Sequence, residues 1–330
     1  MEVVVDLNRL RVLAAVAREG SVTRAAEALH YSQPAISHHL GRLETELGIP
    51  LLQRAGRGVR LTEAGRILAE RADEILGRIR SAEAEVAAYA GLRAGRVRLA
   101  TFPSALATVV PQVAARLLAS HPELELALTE CEPPEAITAL RNGDVDVALV
   151  FEHDEPRPSG ADMTATALFD EPIYLVTPRG RDLGGRLPKP PRRPSDARDE
   201  GRASGPLARY AAERWIAGCQ RCRAHLLAIC ERDGFVPDIA FETDDYVATQ
   251  ALVAAGMGVT TLPGLALLAN RNAQVSIERI PHDRRRIIAL TYGRPPAPLP
   301  VQTLLNLLQA TVTPPEWPAS QPTRATSRPS

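Results

Sequence analysis

Two groups of residues in this 330-residue chain have types and spacings that could do chemistry. The first is sulfur. Of four cysteines, Cys131, Cys219, Cys222 and Cys230, the middle two form a C-x-x-C pair at a predicted helix start, where a thiol loses its proton more readily and can close to a disulfide. A structural zinc site would need a second ligand pair, and no His-x-His cluster accompanies this one. Cys230 falls eight residues past Cys222 on the same helix face and reads as core. Ordinary packing and cleft lining is the plain reading of Cys219 and Cys222; a redox or metal sensor is the alternative. The second group is polar and N-terminal. Ile36, Leu40, Leu43 and Leu47 form one helical stripe, which leaves Gln33, Ser37, His38 and Arg42 on the other side. Arg54, Arg57, Arg60 and Arg66 follow within thirteen residues.

Composition excludes more than it assigns. Lys189 is the sole lysine, in a Pro-rich stretch, so a Schiff-base enzyme is all but ruled out. The histidines are scattered, and neither a catalytic set nor a Gly-rich phosphate loop is present. Net charge is zero, and residues 1–66 carry nine arginines against seven acids, a net of only +2. Placement of the arginines therefore says more than their number. No run of 18 apolar residues exists, and acidic Glu2 and Asp6 stand where a signal peptide wants cations. A cytoplasmic protein without membrane contact is expected.

The elements that must position these residues read as follows. Asp6–Glu19 is an amphipathic helix ended by Gly20. Ser21 caps a short helix over Val22–Leu29, and Ser32 caps a third to about Leu47, with Pro34 tolerated in its first turn. Leu51–Arg60, broken by two glycines, reads as a two-stranded ribbon. A long helix from Thr62 to about Ala90 carries Ile75, Ile79, Ala82, Val86 and Tyr89 at coiled-coil spacing, which predicts a dimer seam. Strands and helices then alternate, the α/β signature. The predicted strands are Val97–Phe102, Leu124–Cys131, Val145–Phe151, Pro172–Thr177, Arg214–Ala217, Ile239–Thr243, Val259–Leu262, Val275–Ile280 and Arg286–Tyr292. Helices are expected at Ala105–Ser120, Pro134–Asn142, Cys222–Asp233, Tyr246–Ala255 and Val301–Thr311. Residues 179–206 read as a flexible insertion and 313–330 as a disordered tail, each with five prolines.

Three short helices and a ribbon suggest a winged helix-turn-helix, and the stretch SVTRAAEALHYSQPAISHHLGRLETELGIPLLQRAGRGVRLTEAG makes it specific. The pattern Gly20-Ser21, Ala25-Ala26, Ser32-Gln33-Pro34-Ala35-Ile36-Ser37, Leu43-Glu44, Leu47-Gly48, Leu51-Leu52, Arg54, Arg57 and Leu61-Thr62-Glu63-Ala64-Gly65 resembles the LysR-type transcriptional regulators. The resemblance is strong over 7–66, moderate over 95–151 and 239–264, and weak across 179–213.

It implies an α/β chain in three parts. These are an all-α winged helix-turn-helix at 1–61, a linker and dimerisation helix at 62–94, and a two-lobe effector domain at 95–312 built like the type 2 periplasmic-binding proteins. Lobe one is expected at 95–163 and 270–312, lobe two at 164–269. The resemblance further implies a homodimer or homotetramer on promoter DNA, a small-molecule effector of unknown identity, RNA polymerase as a further partner, and neither cofactor nor enzymatic activity. In the DNA-binding part Gln33 can pair bidentately with adenine and Pro34 can touch a thymine methyl. Ser37, His38 and Arg42 face the same groove. Ser21, Thr23 and Arg24, with the cap Ser32, would hold phosphate and fix register. Arg54, Arg57 and Arg60 on the wing would reach phosphate or the minor groove. Ligands in open α/β sheets bind beyond the carboxyl ends of strands, which here nominates Pro103, Ser104, Pro133, Phe151, Cys219 and Thr243. Ser104 at a helix N-terminus would hold a carboxylate. The rival readings are a redox regulator working through Cys219 and Cys222, a thiol-disulfide oxidoreductase, a solute-binding protein and an architectural DNA protein.

Overall fold

Helix α1 (Leu7–Glu19) starts at Asp6, whose carboxylate accepts from the Asn8 N–H, and stops at Gly20 in the left-handed conformation, φ 62°. The computed structural model describes residues 6–55, 58–89, 95–153, 163–180, 205–293, 295–311 and 316–320. Ser21 and Ser32 cap α2 (Val22–Ala28) and α3 (Gln33–Leu47) by accepting from the N–H groups of Arg24 and Ala35, as their position predicted. Val12, Leu13 and Val16 of α1 meet Ala25, Ala26, Ile36, Leu40 and Leu43 in one small core. Strands β1 (Leu52–Ala55) and β2 (Gly58–Leu61) form the antiparallel wing. One Glu44 oxygen accepts from the Leu51 and Leu52 N–H groups, at 2.7 and 3.0 Å, and so ties the wing to α3.

Helix α4 (Glu63–Tyr89) is 27 residues long. Its Ala72 and Leu76 pack on Leu10 and Ala14 of α1. Ile75 and Val86 remain 40 % and 70 % exposed and Ala82 is exposed with them, so three residues of the predicted seam are bare in the single chain. The same helix also touches its own effector domain. A Cβ on Gly77 would lie 2.4 Å from the Asn142 carbonyl carbon, and Arg78 donates to the Tyr292 hydroxyl.

Lobe one comprises β3 (Arg96–Thr101), α5 (Pro103–Leu106), α6 (Val109–Ser120), β4 (Glu125–Glu130), α7 (Pro133–Arg141), β5 (Val147–Glu152) and, after the crossings, α11 (Leu299–Thr311). Lobe two comprises β7 (Arg214–Ala217), α8 (Gln220–Arg232), β8 (Asp238–Glu242), α9 (Tyr246–Ala254), β9 (Thr260–Pro263) and α10 (Gly264–Ala269). Two long strands belong to both lobes: β6 (Met163–Pro178) and β10 (Val275–Tyr292), antiparallel to each other. The main sheet runs β4-β3-β5-β10-β6-β9, with β7 and β8 as a separate parallel pair joined to the β9 side through a Trp215–Val259 bridge.

Several expectations need correction here. The lobes do not part at 163 and 270. The chain crosses inside β6 near Asp170–Pro172 and inside β10 near Ile280–Arg285, where the ladder skips register between Arg279 and Arg284. The two strands expected at 275–280 and 286–292 are one, because this irregularity shifts the register of β10 without ending it. The helix expected over Ala105–Ser120 is two, α5 and α6. Pro111 has no N–H and would clash with the carbonyl of residue 107, so a helix must restart just before it. The tail is not structureless throughout. Trp317 lies on Phe169, Tyr174 donates its hydroxyl to the Pro318 carbonyl at 2.9 Å, and the Arg279 N–H donates to the Ser320 hydroxyl. Most of the 179–206 insertion, and residues 90–94, 313–315 and 321–330, lie outside the described residues.

Candidate functional site

Helix α3 buries Ile36, Leu40 and Leu43 and leaves Gln33, Pro34, Ser37, His38 and Arg42 exposed. A spacing of four residues from 33 to 37 and from 34 to 38 puts them on one face. Thr23 and Arg24 of α2 are exposed as well. Arg24, however, donates to the Glu19 carbonyl at the end of α1, and the Ser21 and Ser32 oxygens accept the cap hydrogen bonds. These three groups shape the turn between helices. On the wing Arg60 is exposed opposite Gln53, while Arg57 and the Arg54 side chain lie outside what is described. The close fit that fixes the wing is carried by Gly65: a Cβ there would stand 2.1 Å from the Leu51 carbonyl oxygen. The pattern Thr62-Glu63-Ala64-Gly65 had signalled a helix start but not this contact.

The second site lies between the lobes. Pro103, Ser104 and Phe151 from lobe one, Cys219 and Thr243 from lobe two, and also Glu132, Cys222, Asp244, Tyr246, Thr261 and Arg285, line one cavity of about 60 Å³. Five of the six residues nominated from the sequence meet there. Pro133 does not; it is buried in the first turn of α7 and its neighbour Glu132 faces the space.

At the centre is Arg285, 3 % exposed. Its Nε donates to Glu171, its Nη2 to the Ser104 hydroxyl at 3.0 Å, and its guanidinium stacks 4.1 Å from the Phe151 ring centroid. Glu171, fully buried, also accepts from the Leu265 N–H at 2.7 Å. Burial pushes the Glu171 carboxyl up, against the opposing pull of Arg285 and that N–H. The pairing is set by register: Arg285 faces Glu171 and Arg286 faces Asp170 across β10 and β6. In Arg284-Arg285-Arg286 strand alternation turns the middle residue inward, a signal present in the sequence but tied to no partner there.

Because Glu171 already neutralises Arg285, no uncompensated cation faces the cavity among its described walls. Glu132 and Asp244 face it too, with burial raising the Glu132 carboxyl. Helix α5 is a four-residue turn capped by Phe102, and Ser104 is engaged by Arg285.

The same lining brings two thiols together. Cys219 caps α8, its sulfur 3.1 Å from that of Cys222 and accepting the Cys222 N–H at 3.5 Å. The Cys222 thiol is pulled down by the S–H of Cys219, and Arg285 adds to this. Cys219 is pushed up, with Cys222 and burial as the main causes and Glu132 adding to them. Cys230 is buried in the lobe-two core, its thiol pushed up to about 12 by burial. Beside the cavity His153 of lobe one stacks flat on His225 of lobe two, centroids 3.7 Å apart, and His225 pairs with Asp283 at 2.9 Å. Burial, with His225 next, pushes His153 down to about 2, so it is neutral. Sequence reading missed this group because 72 residues separate the two histidines. Among the described residues no three His, Cys, Asp or Glu side chains are placed to hold a metal ion, and no helix is long and apolar enough to cross a membrane.

Comparison with known proteins bears on both sites. Residues 7–66 match the family model for the bacterial regulatory helix-turn-helix protein, lysR family, and residues 90–313 match the LysR substrate binding domain. An uncharacterized HTH-type transcriptional regulator, YfeR of Shigella flexneri, is 29 % identical over 275 residues, 83 % of each chain. The DNA-binding transcriptional dual regulator OxyR of Escherichia coli K12 is 28 % identical over 303 residues, 89 % of this chain and 91 % of that one. Among solved structures, full-length CbnR complexed with its target DNA superposes with a TM-score of 0.60 at 23 % identity, covering 93 % of this chain and 100 % of the other.

Proposed function

Because this chain belongs to the LysR family of DNA-binding transcriptional regulators, we propose that it reads promoter sequence with the exposed face of α3 and answers to a small molecule held between its lobes. The observation that carries the first half is the single exposed face of Gln33, Pro34, Ser37, His38 and Arg42, backed by a buried stripe that fixes its orientation. A recognition helix so placed offers its first turn to base edges. Thr23 and Arg60 add contacts to phosphate, and Ile75, Ile79, Ala82 and Val86 form the seam of a homodimer. The second half rests on the cavity, whose walls come from both lobes, so occupancy and lobe angle are linked. Competition gel shifts of Gln33→Ala against specific and scrambled DNA test the base-reading role: loss of preference for the specific site supports it, and equal loss on both sinks it.

The cavity's size and charge bear on the class of effector. A volume of 60 Å³ holds a few waters, well below the several hundred Å³ usual for organic ligands. Two acids and a neutralised arginine do not suit an organic anion. A specific observation, the 3.1 Å approach of Cys219 and Cys222 inside the cavity, favours a second reading in which the pair senses oxidants by closing to a disulfide. OxyR-type relatives named for hydrogen peroxide inducibility, 28 % identical, lend it support. Thiol titration after peroxide exposure tests it: loss of two thiols, abolished in Cys222→Ser, supports the switch, and four free thiols after treatment refute it. The family is one of regulators, not enzymes, which leaves an oxidoreductase without a reason for residues 7–66.

A further inference from the structure

Residues 316–320 lie beyond the part of the chain that matches the LysR substrate binding domain, which ends at 313, yet they are seated on the hinge. The seat follows the crossing ribbon from one lobe to the other. Trp317 meets Phe169, which pairs with Ile287 on the lobe-one side, at a centroid distance of 6.1 Å. Pro318 and Ser320 are then held by Tyr174 and Arg279, which face each other across β6 and β10 on the lobe-two side. The segment thus spans the point where both strands change lobe.

Its seat is shaped for an indole. A Cβ on Gly264 would lie 2.6 Å from the Trp317 ring and 3.5 Å from Pro172, so this glycine makes the space that the ring fills. Behind the seat is the cleft network. Pro172 follows Glu171, Leu265 follows Gly264, and Glu171 joins the Leu265 N–H to Arg285, which holds Ser104.

We propose that this hinge groove is a docking site for the chain's own segment 316–320, and that the docked strap sets the lobe angle and the access to the cleft. The inference deepens the effector reading above but does not depend on what the effector is. Undocking frees the crossing strands to open, since an apolar anchor spanning two bodies restrains their relative motion through its buried area. Any ligand that prefers one lobe angle would then be felt differently in a strapped and an unstrapped chain.

Hydrogen exchange of the full chain, with maleimide labelling of Cys219 and Cys222, tests this on three variants. Trp317→Ala removes the anchor, Gly264→Ala displaces it while keeping the tail intact, and Trp317→Phe restores most of it. Exchange over 168–175 and 279–286, and labelling of the cleft thiols, should rise about tenfold in the first two variants and return toward wild type in the third, with β3–β5 unchanged. Unchanged exchange and labelling in Trp317→Ala would overturn the proposal. So would a uniform rise that includes β3–β5, which would make the segment part of the general core. Should Gly264→Ala not fold, Trp317→Ala against Trp317→Phe decides alone. Failure of the effector reading would show elsewhere, as operator binding indifferent to every cleft substitution while the exchange result stands.

Discussion

Consider Glu171→Gln beside Arg285→Met. Both break one buried pair, yet they should differ in size and in pH dependence. With Glu171 replaced by an amide, Arg285 keeps its charge at 3 % exposure and loses the carboxylate that pairs with it directly. A guanidinium cannot shed its proton in a protein, so the full cost of an unpaired buried charge, about 3–5 kcal/mol, should appear at every pH. With Arg285 replaced by an apolar side chain, Glu171 can escape by taking a proton, and burial already pushes its carboxyl upward from 4.5. The folded state then binds more protons than the unfolded one above pH 4.5, so stability falls as pH rises. The slope should be about 1.4 kcal/mol per pH unit until the folded pKa is reached. Urea denaturation from pH 5 to 8, followed by tryptophan fluorescence, reads this out. Trp215 lies in the lobe-two core and Trp317 on the hinge, so the signal reports the relevant region. Parallel pH profiles for wild type and Arg285→Met, or a Glu171→Gln penalty below 1 kcal/mol, would refute the assignment of Glu171–Arg285 as a buried ion pair.

Three further outcomes follow. Gln33→Ala should lose about 1–3 kcal/mol of discrimination between specific and scrambled promoter DNA, measured by competition gel shift, with little change on random sequence. Replacing Ile79 with Lys puts a charge in the α4 seam, so sedimentation should show a weakened dimer and operator affinity should fall with it; an unchanged mass would remove the seam. His153 is held neutral, its ring pushed from 6.5 to about 2 by burial and by His225, so the unfolded chain binds the extra proton as pH falls. Stability should therefore drop by about 1.4 kcal/mol for each pH unit below 6.5, and His153→Phe, which keeps a ring to stack on His225, should flatten that slope.

The parts legible in the sequence are those whose determinants are close together along the chain. Ser21, Ser32 and the stripe Ile36–Leu40–Leu43 act over one to three helical turns, so caps, helix limits and the exposed polar face could be read directly. The same holds for Cys219 and Cys222, because a cap residue and the third residue after it meet in any helix start. Arg285 and Glu171 are 114 positions apart, and only the antiparallel register of β6 and β10 brings them together. No local pattern carries that register. Asp170-Glu171-Pro172 even reads as a break, yet β6 runs through it, and Pro172 pairs with Arg284 where the irregular part of the ladder ends, a kind of place where strands tolerate proline. The tail failed for a related reason: five prolines and few apolar residues argue for disorder on average, but one indole suffices when Gly264 leaves a place for it. What the two misses share is location, since both lie on the ribbon that joins the lobes. A hinge needs residues from distant segments to meet at one level, and its energetics rest on register and on single fitted side chains. Composition and periodicity describe each element, but the relative position of two lobes is decided by pairs such as Arg285 with Glu171 and Trp317 with Gly264.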